Sequence, residues 1–298
     1  MAFEESLRKR FQEKKLSDST ITYYIASLRR LSNGKLSSLA FLKDMDAVGE
    51  KIAKYAPSTQ KSMYAIICAS LTLEPKMSKA VKTFYHDKMM ESMRAKKKEI
   101  EEGPTKTAKQ EANWISWDDV QAKLRELREK ATTFNGALDY LVLALYSMIP
   151  PRRNKDFLLM RVVAKPSDDL DKSNNYFDVS TKKFYFNRFK TDKKYGQQVE
   201  DVPDDLFDAI KLYLGFHPDA GKKIPPNGIK LLVYRDGSEL TTINGITRIL
   251  NRIFGKNIGA TMLRHIYLTD KYGSKLKEMK EDADAMGHST TQQREYVV

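Results

Sequence analysis

Residues 183–202, KFYFNRFKTDKKYGQQVEDV, decide how the second half of this chain is read. Lys183 to Phe189 alternates with the two-residue period of a half-buried strand. Asp192 to Gly196 reads as a turn, and Gln198 to Val202 as the returning strand. Upstream, Leu158–Val163 and Tyr176–Val179 are short β-type runs, so the hairpin belongs to a small sheet. Helical periodicity surrounds that sheet. Before it come Val120, Leu124 and Leu127, then the apolar run Ala137–Ile149, ended by Pro150-Pro151. After it come Leu206–Leu214, Thr242–Ile253, Ala260–Tyr272 and Leu276–Met286. Ser116 and Asp119 have capping-box spacing at the head of the first of these helices, and Trp114 and Trp117 are expected to pack it. The spacing predicts a mixed α/β domain over residues 113–298.

The first part of the chain carries helical spacing instead. Leu7 and Phe11; Ile21, Tyr24, Ile25, Leu28 and Leu31; Val48, Ile52 and Tyr55; and Met63, Ile66, Ile67 and Leu71 each recur at three and four. Ser17, Asp18 and Ser19 are N-cap candidates, Asn33-Gly34 is a stop, and Thr59 is expected to cap the helix after Pro57. These residues predict a helical domain over 1–95. Residues 96–112, KKKEIEEGPTKTAKQEA, are charged and hold Gly103-Pro104, and they read as a linker running on from a frayed helix. The fold class expected is therefore mainly α with a small β-sheet.

Of 298 residues, 52 are Lys or Arg and 39 are Asp or Glu, a net charge of +13. Residues 1–110 hold 22 basic against 13 acidic residues (+9), and the remaining 188 hold 30 against 26 (+4). A basic first third on a nearly balanced remainder points to a polyanionic partner, nucleic acid first. The mean hydropathy of −0.55 and the lack of any apolar run of about 20 residues exclude a membrane span. The N-terminus has no apolar signal core, and a single cysteine, Cys68, excludes an internal disulfide. With only four histidines, no metal site is expected. An intracellular, reducing setting follows.

Four pieces of the second domain matter together: Pro150-Pro151-Arg152-Arg153-Asn154-Lys155-Asp156, Phe189-Lys190-Thr191, Thr261-Met262-Leu263-Arg264-His265, and Gly287-His288-Ser289 followed by Tyr296. In this order and context, residues 113–298 resemble the tyrosine recombinases of the phage-integrase family. The wording is closest to recombinases of large DNA viruses and eukaryotic mobile elements. The N-terminal region is similar to that family's core-binding domain in size, charge and helicity.

The resemblance implies a chemistry that suits these residue types. A phenol attacking a phosphodiester creates a pentacoordinate state with extra charge on the non-bridging oxygens, and guanidinium forks match those oxygens. Arg153 and Arg264 are the implied pair. Arg152 is the rival for the first place, and family spacing to Asp156 favours Arg153. Asp156 would orient the arginine or close the helix. Lys190 is the implied general acid for the leaving 5′-hydroxyl, with Lys193 and Lys194 next in line or on backbone phosphates. His288 would donate to the phosphate, and Tyr296 would be the nucleophile of a 3′-phosphotyrosyl link. That link stores the bond energy, so neither ATP, a metal nor another cofactor is implied.

The chain departs from the family pattern at two places. Thr261 stands where the family has a histidine; it can hydrogen-bond a phosphate oxygen but is no base near neutral pH. Tyr296 follows His288 by eight residues, one fewer than the family pattern. His265 is either part of the site or a buried structural histidine.

The resemblance further implies a C-shaped clamp on double-stranded DNA and a homotetramer that exchanges strands through a Holliday junction, in integration or excision. No small-molecule substrate is implied. The chain stops two residues after Tyr296, too short for a docking helix, so a monomer is expected in free solution and assembly on DNA. The alternatives are a type IB topoisomerase, which would act as a monomer, and a DNA-binding regulator that has lost catalysis.

Overall fold

The computed structural model describes residues 2–101, 105–165 and 170–296. The chain is mainly helical with one small mixed sheet, and it divides into two compact units, Met1–Thr105 and Lys106–Val298. Among the described residues, no helix is long and apolar enough to cross a membrane.

The first unit contains α1 (Ala2–Glu13), α2 (Asp18–Leu31), α3 (Met45–Ala53), α4 (Pro57–Leu71) and α5 (Lys79–Glu101). Ser17 caps α2 by accepting from the Thr20 amide at 3.3 Å. Asn33 and Gly34 end it in the positive-φ region, where the Gly34 amide returns to the Arg29 carbonyl. Thr59 does not cap α4. Pro57 takes the first helical position after Ala56, where its missing N–H costs nothing. The periodic residues Leu7, Phe11, Ile25, Leu28, Ile52 and Ile67 share one core. Tyr85 of α5 is fully buried in it and donates to the Leu42 carbonyl at 3.0 Å.

The second unit contains α6 (Ala108–Asn113), α7 (Trp117–Glu129), α8 (Phe134–Ser147), α9 (Asn154–Leu158), β1 (Met160–Val163), β2 (Asn175–Asp178) and β3 (Lys183–Phe186). It continues with α10 (Asp192–Tyr195), β4 (Gln198–Asp201), α11 (Asp204–Phe216), β5 (Ile229–Lys230), α12 (Ile243–Phe254), α13 (Ala260–Met286) and α14 (Thr290–Glu295). The sheet order is β4-β3-β2-β1-β5; β1 and β2 are parallel and every other pair is antiparallel. The alternation predicted through Phe189 stops at Phe186. Beyond it Asn187 donates to the Asn174 carbonyl, and Asn175 accepts from the Arg188 amide, so the chain leaves the ladder. The turn of the hairpin is the single helical turn α10.

On the inner face of the sheet Phe184 and Phe186 meet Phe157 of α9, whose ring also contacts Tyr146 of α8 edge-on at 5.5 Å. This aromatic cluster seats α9 on the buried helix α8 and so fixes where residues 152–156 stand.

Three expectations change here. Residues 96–101 continue α5, with Lys96 and Glu99 paired at 2.8 Å, and the second unit begins at Lys106 rather than Asn113. Thr107 and Gln110 form a two-way capping box, so α6 occupies what reads as linker. Moving Lys106 and Lys109 into the second unit leaves 20 − 13 = +7 in the first and 32 − 26 = +6 in the second. Finally, α13 runs unbroken through Gly273, where two helices are expected. Gly273 has no positive φ, and the flanking Leu, Lys, Glu and Met residues are strong helix formers that outweigh its cost of about 1 kcal/mol.

His217, at the end of α11, is buried. Its Nδ1 accepts from the Asp219 amide at 3.1 Å, so Nε2 carries the hydrogen and donates to the Lys230 carbonyl at 3.1 Å. Burial holds the imidazole below its ordinary range, against the pull of the Asp219 carboxylate and with a small push from Lys222. The unfolded chain therefore takes up this proton first as pH falls, and stability present above the ordinary imidazole range is lost below it. Acidification from pH 7 to 5 is expected to lower the melting temperature less in His217→Gln than in the parent protein. Partly buried Asp139 and buried Asp156 titrate with the opposite sign in both proteins, so the difference between the two curves isolates His217.

Candidate active site

Arg152 and Arg153 are adjacent but differently employed. The Arg152 guanidinium bonds Asp156 at 3.0 Å, Glu200 at 2.7 Å and Gln198 at 2.9 Å, and it lies 3.7 Å from the Phe186 ring centre. It is a tie between α9 and the hairpin. The Asp156 carboxylate is thus paired with the Arg152 guanidinium rather than that of Arg153, whose carbonyl accepts from the Asp156 amide at 2.9 Å. Burial pushes the Asp156 carboxyl up while Arg152, first, and the Arg153 charge pull it down.

Arg153 is the N-cap residue of α9 with extended backbone, and its side chain has no ion-pair or hydrogen-bond partner among the described residues. It faces a cleft of about 530 Å³. Asn154 holds this corner: Oδ1 accepts from the Tyr146 hydroxyl at 2.8 Å, and Nδ2 donates to the Ile243 carbonyl and Thr247 Oγ1 of α12, both at 2.9 Å.

The opposite part of the cleft is the start of α13. Thr261, Arg264 and His265, spaced at three and four, all line it. His265 is exposed, so it is not a buried structural histidine. α13 starts close to α12: a Cβ on Gly259 would stand 3.3 Å from Thr247 Cγ2. Lys109, Gln110, Lys155 and Asn257 add to the polar lining, and no carboxylate lines the cleft among the described residues. The concentration of Arg153, Arg264, Lys109 and Lys155 with a histidine and no acid gives the cleft a positive lining that suits an anion. Lys109 is missed by the linker reading, although Thr107 and Gln110 carry capping-box spacing in the sequence.

The remaining site residues lie elsewhere. Lys190 is exposed on the hairpin and does not line the cleft. Lys193 lines a separate depression of about 370 Å³ with Lys172 and Arg188. His288 and Tyr296 sit together beyond the end of α13, ring centres 5.8 Å apart, with Tyr296 67% exposed. The 22 helical steps from Arg264 to Met286 give about 33 Å of axial rise, so α13 separates that pair from the cleft. Beyond Ile266 the helix is mostly exposed, Leu268, Tyr272, Leu276 and Met286 among its exposed residues, with Ala283 buried. Among the described residues no group of His, Cys, Asp or Glu is placed to hold a metal ion. No protein-family model matches the chain, and no curated protein matches it significantly.

Proposed function

We propose that the chain is a site-specific DNA recombinase or integrase of the tyrosine-recombinase type, cutting and rejoining strands through a 3′-phosphotyrosyl intermediate and a Holliday junction. The observation that carries the reading is the acid-free cleft where Arg153 and Arg264 converge with Thr261 and His265. Such a cleft would hold a scissile phosphate and stabilise the charge that grows on it. Tyr296 would supply the nucleophile, His288 a donor to the phosphate, and Lys190 a proton for the leaving 5′-hydroxyl. No cofactor enters this scheme. The enzyme would act on duplex DNA inside the cell, gripping it with both units as a clamp, monomeric when free and tetrameric on its sites.

Tyr296 and Lys190 lie outside the cleft, so cleavage requires the C-terminal segment and the hairpin to close on it. That same separation favours a second reading, a DNA-binding regulator without strand cleavage. Nicked duplexes drawn from the source element's DNA, incubated with the full chain and run on denaturing gels, separate the two. A protein–DNA adduct with a free 5′-hydroxyl on the partner fragment supports the recombinase. Tight, sequence-dependent binding with no adduct on any duplex would overturn it in favour of the regulator. Relaxation of supercoils at unrelated sequences, without strand exchange, would instead point to type IB topoisomerase action.

A further inference from the structure

We infer that Lys109 is a ligand of the anion held in the cleft, so that α6 forms a working wall of the site; the inference rests on the phosphodiester reading proposed above. The basic groups of the cleft come from three elements: Lys109 from α6, Arg153 and Lys155 from the start of α9, and Arg264 from the first turns of α13. α6 is fixed in place rather than tethered loosely. Its first turn is locked by the Thr107–Gln110 capping box. At its other end Asn113 Oδ1 accepts from the Asn257 amide at 2.8 Å, two residues before Gly259, which caps α13. Trp114 follows and packs on the core of the unit.

The two lysines of this segment have different surroundings. The Lys106 ammonium lies 4.3 Å from the Trp114 ring centre. Lys109 is exposed, and its ammonium has no ion-pair or hydrogen-bond partner among the described residues. It faces a cleft lined by other cations and no acid. Like charges brought together at moderate dielectric repel, and only an anion entering the cleft relieves them. An ammonium on a flexible stem offers three donors that can follow a phosphate oxygen as the group changes shape, which complements the fixed forks of the arginines. Lys190, exposed on the hairpin, is not part of this set.

The test uses the full chain and inorganic phosphate as probe, titrated by phosphorus NMR or calorimetry. Lys109→Gln is expected to weaken phosphate binding about tenfold, the scale of one charge-assisted hydrogen bond. Lys109→Arg should keep the affinity, Lys211→Gln, exposed on α11 and outside the cleft, should leave it unchanged, and Arg264→Ala should lower it at least as much as Lys109→Gln. An unchanged affinity in Lys109→Gln with a loss in Arg264→Ala would overturn the role of Lys109 and leave the cleft standing. No change in either variant would overturn the cleft reading as well. A loss in Lys109→Gln with none in Arg264→Ala would place the lysine at some other anion site and refute the inference. Because Lys109 is exposed, the melting temperature should not move, and the arginine variant guards against a purely structural effect.

Discussion

Tyr296→Phe is expected to abolish the covalent protein–DNA adduct completely while leaving duplex affinity within about twofold. The substitution removes one hydroxyl from a side chain that is 67% exposed and contacts the His288 ring, so neither the core nor the cationic cleft is disturbed. Loss of the adduct without loss of binding marks a nucleophile rather than a binding contact. An adduct retained by the variant would assign the attack to another residue.

The same prediction extends to how Tyr296 reaches the phosphate. With α13 continuous, about 33 Å of helix stands between Arg264 and the end of the element. Gly273 is the weakest point of that span: a helix-interior glycine costs about 1 kcal/mol relative to alanine. On either side of it Leu268, Tyr272 and Leu276 are exposed, so bending there would let apolar surface be covered rather than uncovered. Gly273→Ala, which meets only Thr269 Cγ2 at an ordinary 3.5 Å, stiffens the helix and is expected to slow adduct formation severalfold at unchanged stability or better. Mixing Arg264→Ala with Tyr296→Phe protein tests the route. Delivery within one chain gives no restored cleavage, and restored cleavage would mean the tyrosine acts on a neighbour's site.

What could be read in the sequence follows the range of the interactions involved. The hairpin is legible because alternation is local, and Phe184 and Phe186 turn inward as it requires. The two-residue strand β5 is too short to carry any period, and only its pairing with β1 defines it. The continuity of α13 is hidden because a Gly-Ser pair resembles a stop, whereas the helix formers on both sides decide the outcome. The segment 107–113 was readable from Thr107 and Gln110, but its charge and the nearby Gly103-Pro104 mask the signal. For the site, the grouping of Arg153 with Thr261, Arg264 and His265 is carried by motif order. The roles of Arg152 and Lys109 are not, because each depends on where remote segments land: Gln198 and Glu200 for the first, Asn257 for the second.

That non-local pairing gives the adjacent arginines opposite expected phenotypes. Arg153→Ala and Arg264→Ala should each lower strand cleavage at least about 100-fold, the scale of removing one preorganised stabiliser of transition-state charge. The half-buried Arg153 side chain has no ion-pair or hydrogen-bond partner among the described residues and acts on Asp156 only through its charge, so its loss should lower folding stability by about 1 kcal/mol or less. Arg152→Ala should do the reverse. Its side chain is 14% exposed and paired to Asp156, 4% exposed, whose Oδ1 already has no hydrogen-bond partner. Removing the guanidinium leaves a buried carboxylate uncompensated and frees the hairpin contacts at Gln198 and Glu200. The cost of breaking such a pair is about 3–5 kcal/mol, a large part of a typical domain's stability. Thermal melts and single-turnover cleavage on the same preparations read both effects. If Arg152→Ala melts like the parent and loses cleavage while Arg153→Ala keeps it, the phosphate is bound by Arg152 and the assignment at this double arginine shifts by one residue.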